Sequence, residues 1–321
     1  MGYLMRHLAS LMTPTLVCLL IAASVHAADY PAKPVRFITP APAGGGTDLT
    51  LRIYAEKLSL HWGQQVSVDN RPGGKSIIAS MAVAKAAPDG YTFLGTFDSH
   101  ATNPAFEDNL PYDTVNDFIP VSMLSTVNMM LAVTPSLPVK STQELIALAK
   151  SKTMDVTYAS IGVGSSQYLV AEMFNNATGA GLRHIPYKER SAMTSDVLAG
   201  RVQVLVSSIA GLIPYLEAGT LRAVAVTSRQ RSAALPDVPT LNEAGVPGYE
   251  FISWVGLFAP AKTPRAVINQ VNADIKRVAS LPDVRDRISK AGADVAPTTP
   301  EEFDTVVRAD IEKWTRMFKK K

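Results

Sequence analysis

Cysteine is almost missing: the 321 residues hold one, Cys18, inside an N-terminal apolar stretch. Disulfide bracing is thereby excluded, and so is any thiolate cluster for zinc or iron–sulfur chemistry. Histidine is scarce as well. Beyond residue 27 only His61, His100 and His184 occur, widely separated and with no His-x-x-x-His pair, so a metal site has no support and none is expected. There is no Gly-x-Ser-x-Gly elbow, and no serine has a base beside it in the sequence, which leaves a hydrolase without a signature. Nor does either charge dominate, with 31 Lys and Arg against 28 Asp and Glu. The one basic block is the terminal Lys319-Lys320-Lys321, so nucleic acid is not the expected partner.

What is present begins with residues 1–27, where Arg6 and His7 precede the apolar "LASLMTPTLVCLLIAASV" and the small-x-small pattern Val25-His26-Ala27. Such a segment reads as a secretory signal peptide cut after Ala27. Pro14 interrupts the run, which is near the lower length limit for a membrane span. The remaining 294 residues must be held by a hydrophobic core, enough for two domains.

Along that remainder, apolar strands alternate with amphipathic helices. Strand candidates are "VRFIT", "QVSVDN", "YTFLGT", "MMLAVT", "DVTYAS", "LRHIPY", "VQVLVSS", "LRAVAVTS" and "WVGLFAP". Helix starts are legible as capping boxes at Ser141/Glu144 and Thr299/Glu302, the second with Pro300 at the first helical position. Phe303, Val307, Ile311, Trp314 and Phe318 form one apolar stripe, read as core packing. Alternation of this kind predicts α/β architecture with mostly parallel sheets, whose ligands bind where strand ends feed helix N-termini.

Two such places stand out. "APAGGGTD" follows "VRFIT" and opens a helix, and "SIGVGSSQ" does the same after "DVTYA". Each presents free backbone N–H groups at a helix start, where the macrodipole also favours negative charge. An anion between the two loops would be gripped from both sides. The first loop lacks the Gly-Lys-Ser/Thr of a phosphate loop, and the second has Gln167 where a dinucleotide fingerprint needs its third glycine. Glycines serving only a tight turn remain the plain alternative for either loop alone.

The segments "YPAKPVRFITPAPAGGGTDLTLR", "VDNRPGG", "AKAAPDGYTFLGT", "LPYD" with "DFIPVS", "TYASIGVGSS", "PYK", "LRAVAVTSRQRSAALPDVPTLNEAGVPGYE" and "SWVGLFAPAKTP" together resemble the Bug family. These are the extracytoplasmic solute receptors of tripartite tricarboxylate transporters. The resemblance implies an α/β fold of the periplasmic-binding-protein type II class: two lobes joined by crossing strands, with a ligand cleft between them. Lobe 1 would comprise 28–128 and 251–321, and lobe 2 would comprise 129–250, with a hinge through "STVNMMLAV" and "FISWVGLFAP".

Carried over by motif, first-lobe contacts would be Pro42, Ala43, Gly44, Gly45, Gly46, Thr47 and Asp48, joined by Thr96, Phe97, Ser99 and His100 at a strand end. Asp48 has a second reading as a helix cap. Second-lobe contacts would be Ser160, Gly162, Gly164, Ser165, Ser166 and Gln167, then Tyr187 and Ser207 or Ser208, with Trp254 walling the pocket. The chain departs from the family pattern at Glu189-Arg190 after "PYK", at Ser207-Ser208 where aspartate is common, and at Lys75-Ser76 after "NRPGG". Glu189 is therefore counted among the residues that would tune specificity.

The resemblance implies a monomeric periplasmic receptor, without cofactor or catalytic activity, that delivers a small organic mono- or dicarboxylate to a two-component membrane permease. A receptor serving a sensor kinase, or an orphan receptor, shares every pocket residue, and a periplasmic hydrolase is the poorer alternative. The terminus gives the first prediction: exported protein should begin at Ala28, and intact-mass measurement of a periplasmic extract that finds residues 1–27 still attached would overturn it.

Overall fold

The computed structural model describes residues 30–73 and 76–319, so the expected signal peptide and Lys75 lie outside the described residues. The chain first lays down β1 (Val35–Thr39), α1 (Gly46–Trp62), β2 (Val66–Asn70), α2 (Ile77–Ala84), β3 (Thr92–Phe97) and α3 (Ser99–Phe106). β2 and β3 flank β1, both parallel to it. α1 buries Leu51, Tyr54, Ala55 and Leu58, one helical face, and stops at Gly63, whose φ of 62° a side chain would disfavour. His61 and the Trp62 indole both bond to Asp274, which makes them structural.

β4 (Phe118–Val133) is 16 residues long and belongs to both halves of the molecule. The second half continues with α4 (Thr142–Ser151), β5 (Thr157–Ser160), α5 (Ser166–Thr178), β6 (Arg183–Pro186), α6 (Arg190–Leu198), β7 (Val204–Ser208), α7 (Ile209–Glu217) and β8 (Arg222–Val226). The chain then returns through β9 (Ile252–Pro260), α8 (Arg265–Ala279), α9 (Pro282–Lys290), β10 (Asp294–Val295) and α10 (Pro300–Phe318). The sheet order is β2-β1-β3-β9-β4-β7-β5-β6, with β8 and β10 also on β4. From Phe118 to Asn128, β4 pairs with β9; from Met129 to Val133 it pairs with β7 and β8.

Alternate residues of β4's second stretch point into different cores, as a strand's period of two requires. Leu131 and Val133 join Tyr158, Leu169 and Phe174, whereas Met130 and Ala132 join Met193, Leu205 and Leu212. The first half has its own cluster of Ile38, Leu94, Trp254, Phe258 and Phe303. α10 enters both: Phe303 and Val307 pack in the first half, Trp314 and Phe318 against the second. Its capping box at Thr299 and Glu302 forms as the sequence predicts. At α4, Ser141 caps Glu144, but the Glu144 carboxylate returns to the amide of Lys140.

Close packing in the first half depends on two missing side chains. A Cβ on Gly256 would lie 2.1 Å from Phe303 Cζ, and one on Gly95 would lie 2.5 Å from Leu51 Cδ2. Glycine in these neighbouring strands lets a helix approach each face. Gly256→Ala should therefore cost about 1–3 kcal/mol through overpacking, lowering the thermal midpoint with little change in secondary structure by circular dichroism. A wild-type midpoint would refute the packing argument.

Candidate functional site

Register alone builds a crevice. β3 ends at Phe97 opposite Val255, which faces Ser125 of β4. β7 ends at Ser208 opposite Met129 and runs antiparallel to β4, whereas β1 and β3 run along it. The carboxyl ends of the two parallel sets thus meet from opposite directions over a stretch of β4 about 13 Å long. The loops feeding α1 and α3 stand on one side. Those feeding α5 and α7 stand on the other.

On the first side, Pro42, Ala43, Gly44 and Gly46 are exposed, and Gly45 and Thr47 are half-buried. Gly44 adopts φ 78°, while Gly45, the residue preceding α1, is extended. The Gly44 amide donates to Asp48 Oδ2 (2.9 Å), and Gly45 donates to the Pro42 carbonyl (3.1 Å). The amides of Gly46, Thr47 and Asp48 begin the helix and have no intrahelical acceptor. Asp48 is buried and also takes Arg52 Nε (2.9 Å) and Asn70 Nδ2 (2.7 Å). Burial alone would raise its pKa, but these hydrogen bonds outweigh burial and hold it below the usual carboxylate value. Its carboxylate is thus committed to holding the loop, although it bonds no amide of the helix's first turn.

On the second side, Gly162 and Gly164 have φ of 115° and 85°, so both need glycine. Ser160, fully buried, accepts the Gly162 amide (3.0 Å) and shares a 2.6 Å hydrogen bond with His184 Nε2. A serine–histidine contact does exist, then, which the sequence did not suggest, but this serine has no exposed surface. Burial pushes the His184 pKa down, opposed by the charge of Glu172. Ser165 caps α5 and donates to the Gly162 carbonyl (2.7 Å). Gln167 is 4 % exposed, and its side-chain amide makes no hydrogen bond with any described residue. Together with the first-turn amides of Ser166 and Gln167, it leaves donors open.

Other expected residues are engaged elsewhere. Tyr187 donates its hydroxyl to Asp196 (2.8 Å). Ser208 caps α7 by accepting the Gly211 amide, whereas the Ser207 hydroxyl is uncommitted among the described residues. Glu189 is exposed immediately before α6 and makes no capping bond. Phe97 is half-buried. Ser99 shares a 2.7 Å hydroxyl contact with Ser76, itself at φ 73°. Thr96 is enclosed.

Two expectations need correcting. His100 does not face the crevice: it is fully buried with its ring against Phe258 (4.7 Å), Phe118 (4.8 Å) and Tyr112 (6.1 Å). Burial pushes its pKa down to about 3, so it is a neutral core residue. Trp254 belongs to the first-half core as well, edge-on to Phe303, with Nε1 donating to Asp310 (2.9 Å). It supports β9 from behind. A groove of about 840 Å³ along α10, lined by Val115, Ile311, Thr315 and Lys319 among others, shares no residue with either glycine loop.

One residue absent from the expected set sits at the centre. Asp98, between β3 and α3, is 2 % exposed, and its Oδ2 accepts Ser166 Oγ and Ser253 Oγ, each at 2.9 Å. Its partners lie 68 and 155 residues away. The only local signal is an acid at a helix start, which reads as an ordinary cap.

A family described as "Tripartite tricarboxylate transporter family receptor" matches residues 50–321. BugT of Bordetella pertussis is 34% identical over 296 residues, covering 92% of this chain and 91% of that one. Among solved structures, the R. palustris protein Rpa4515 with adipate is 35% identical with a TM-score of 0.80, over 91% of this chain and 98% of that one. MatC from Rhodopseudomonas palustris, with bound malate, is 28% identical with a TM-score of 0.77, over 90% and 99% of the two chains. On the extent of these matches, and on a crevice built from two opposed sheet edges, the chain belongs to the tripartite tricarboxylate transporter receptor family.

Proposed function

We propose that this protein is a periplasmic, non-catalytic and monomeric receptor that binds a small organic mono- or dicarboxylate in the crevice and delivers it to a two-component membrane permease. The observation that carries this reading is the pair of helix N-termini, α1 and α5, at the two opposed carboxyl edges. The ligand's carboxylates would accept the amides of Gly46, Thr47 and Asp48 on one side and those of Ser166 and Gln167 on the other. Gln167 and Ser207 would add side-chain contacts. Adipate and malate in similar proteins support the ligand class. Lobes 28–128 with 251–321 and 129–250 would close on the ligand, and closure would create the surface that the permease reads.

No lysine or arginine lies within either loop, so the ligand's own charge has to do much of the recognition. A helix N-terminus contributes about 0.3–1 kcal/mol, up to about 2 when partly buried, and each hydrogen bond to a charged group about 1.5–3 kcal/mol. Among the described residues no helix is long and apolar enough to cross a membrane. Ser160, the one serine bonded to a histidine among the described residues, lacks the exposure a nucleophile needs, which weighs against the hydrolase reading.

A thermal-shift screen of about fifty carboxylates, adipate and malate included, should find a stabiliser, since a ligand at 100 times its dissociation constant adds about 2.7 kcal/mol. Replacing one carboxylate of that ligand by an amide should then weaken binding by roughly 2–4 kcal/mol, about 30- to 1000-fold by calorimetry. Gly164→Val should weaken it too, because φ is 85° there, which strains a branched side chain, and a Cβ would lie 3.4 Å from the Phe106 ring with the two methyl groups still to place. No stabiliser in the screen, or equal affinity for acid and amide, would overturn the anion-clamp reading.

A further inference from the structure

Asp98 occupies a position that the ligand reading does not use. It follows β3 in the first half, yet one of its oxygens holds Ser166, the first residue of α5 in the second half, and Ser253, at the start of the returning strand β9. The same region brings Phe106 of α3 against Tyr168 of α5, with ring centroids 5.9 Å apart. A carboxylate on one wall of the crevice, bonded to the other wall through Ser166 and to β9 through Ser253, is placed to govern their separation.

We propose that Asp98 is a positioning residue for ligand capture: it latches the second glycine loop to the first half through Ser166 and couples closure of the crevice to proton uptake. The inference rests on reading the crevice as the ligand site. Two hydroxyl donors converge on Oδ2, and both remain satisfied whether the carboxyl is ionised or protonated, because a carboxylic acid keeps an acceptor oxygen. The latch therefore survives protonation, while the cost of burying the charge does not.

Burial raises the Asp98 pKa from 3.8 to about 6, against the pull of Ser166, Ser253 and the Ser99 amide, and with added repulsion from Asp310. The charge that acts on Asp98 from another element is that of Asp310, on α10. Asp310 is itself raised by burial, and Lys313 follows one turn later with Nζ 3.5 Å from the Glu250 carbonyl. An acid whose pKa is higher closed than open binds a proton on closing. Closure is thus favoured as pH falls through about 6, and the gain is complete once pH is below the ordinary value of 3.8. If opening returns Asp98 to that ordinary value, the closed-to-open ratio rises about ten-fold between pH 7 and pH 5.

The test needs no ligand, so its failure is separate from failure of the carboxylate reading. Spin labels on Leu60→Cys in α1 and Leu198→Cys in α6 of the chain beginning at Ala28, which has no cysteine of its own, report the distance between the halves by pulsed dipolar spectroscopy. The wild-type distribution should shift toward the shorter distance from pH 7 to pH 5. Asp98→Asn, which keeps an acceptor but cannot titrate, should give one distribution at both pH values, while Asp310→Asn should retain the response. Ser166→Ala should favour the longer distance by roughly ten-fold or more at pH 7, where the carboxylate is charged, and by a smaller factor at pH 5. A wild-type distribution that ignores pH, or a response that persists in Asp98→Asn, overturns the proposal. Should Asp98→Asn not fold, an unchanged distribution in Ser166→Ala overturns it alone.

Discussion

The organisation of the molecule depends on one strand running through both halves. β4 carries β9 along its first eleven residues and β7 with β8 along its last five, and the antiparallel pairing at each place fixes the direction of everything beyond. Because both parallel sets are tied to it with opposite sense, their carboxyl ends are forced to converge on its middle. No side chain has to be chosen for the crevice to exist. Specific residues only decide what the crevice holds.

Within that frame, the division of polar groups follows from what each backbone conformation leaves unsatisfied. In the first loop Asp48 takes the amide that would otherwise point inward from Gly44, and Arg52 offsets the buried charge. In the second, Ser160 does the corresponding work for Gly162, with His184 behind it in place of an ion pair. Each loop is therefore preorganised by its own side chains, while the amides of Gly46, Thr47 and Asp48 in one helix and of Ser166 and Gln167 in the other have no intrahelical acceptor. Preorganisation of this kind lowers the ordering cost of binding.

The sequence made much of this visible, for identifiable reasons. "VRFIT" coincides with β1 because Pro34 precedes it and "PAPAGGG" ends it, so both boundaries carry strong local signals. Both glycine loops were legible by the same logic. The first eleven residues of β4 were not, since Pro120 and scattered hydroxyls mask a strand whose stability comes from β9, more than a hundred residues later. β10 has only two residues and no pattern to read. His100 shows the opposite failure: a histidine after a strand looks like a ligand contact, and only the distant rings of Tyr112, Phe118 and Phe258 make it a core residue. Asp98 was missed because its meaning lies in two serines remote in sequence.

The return of the chain through β9 and α10 has a consequence for the order of assembly. β9 lies between β3 and β4, so the sheet of the first half cannot close until residues near 260 are available. Phe303 then has to fill the space over Gly256. The second half, by contrast, draws its strands from one continuous stretch of chain ending at Val226. Local contacts form before distant ones because less loop entropy is lost. The strands of the second half can thus pair before those of the first are complete, while β3, already paired with β1, keeps its other edge open until the C-terminal third of the chain reaches it.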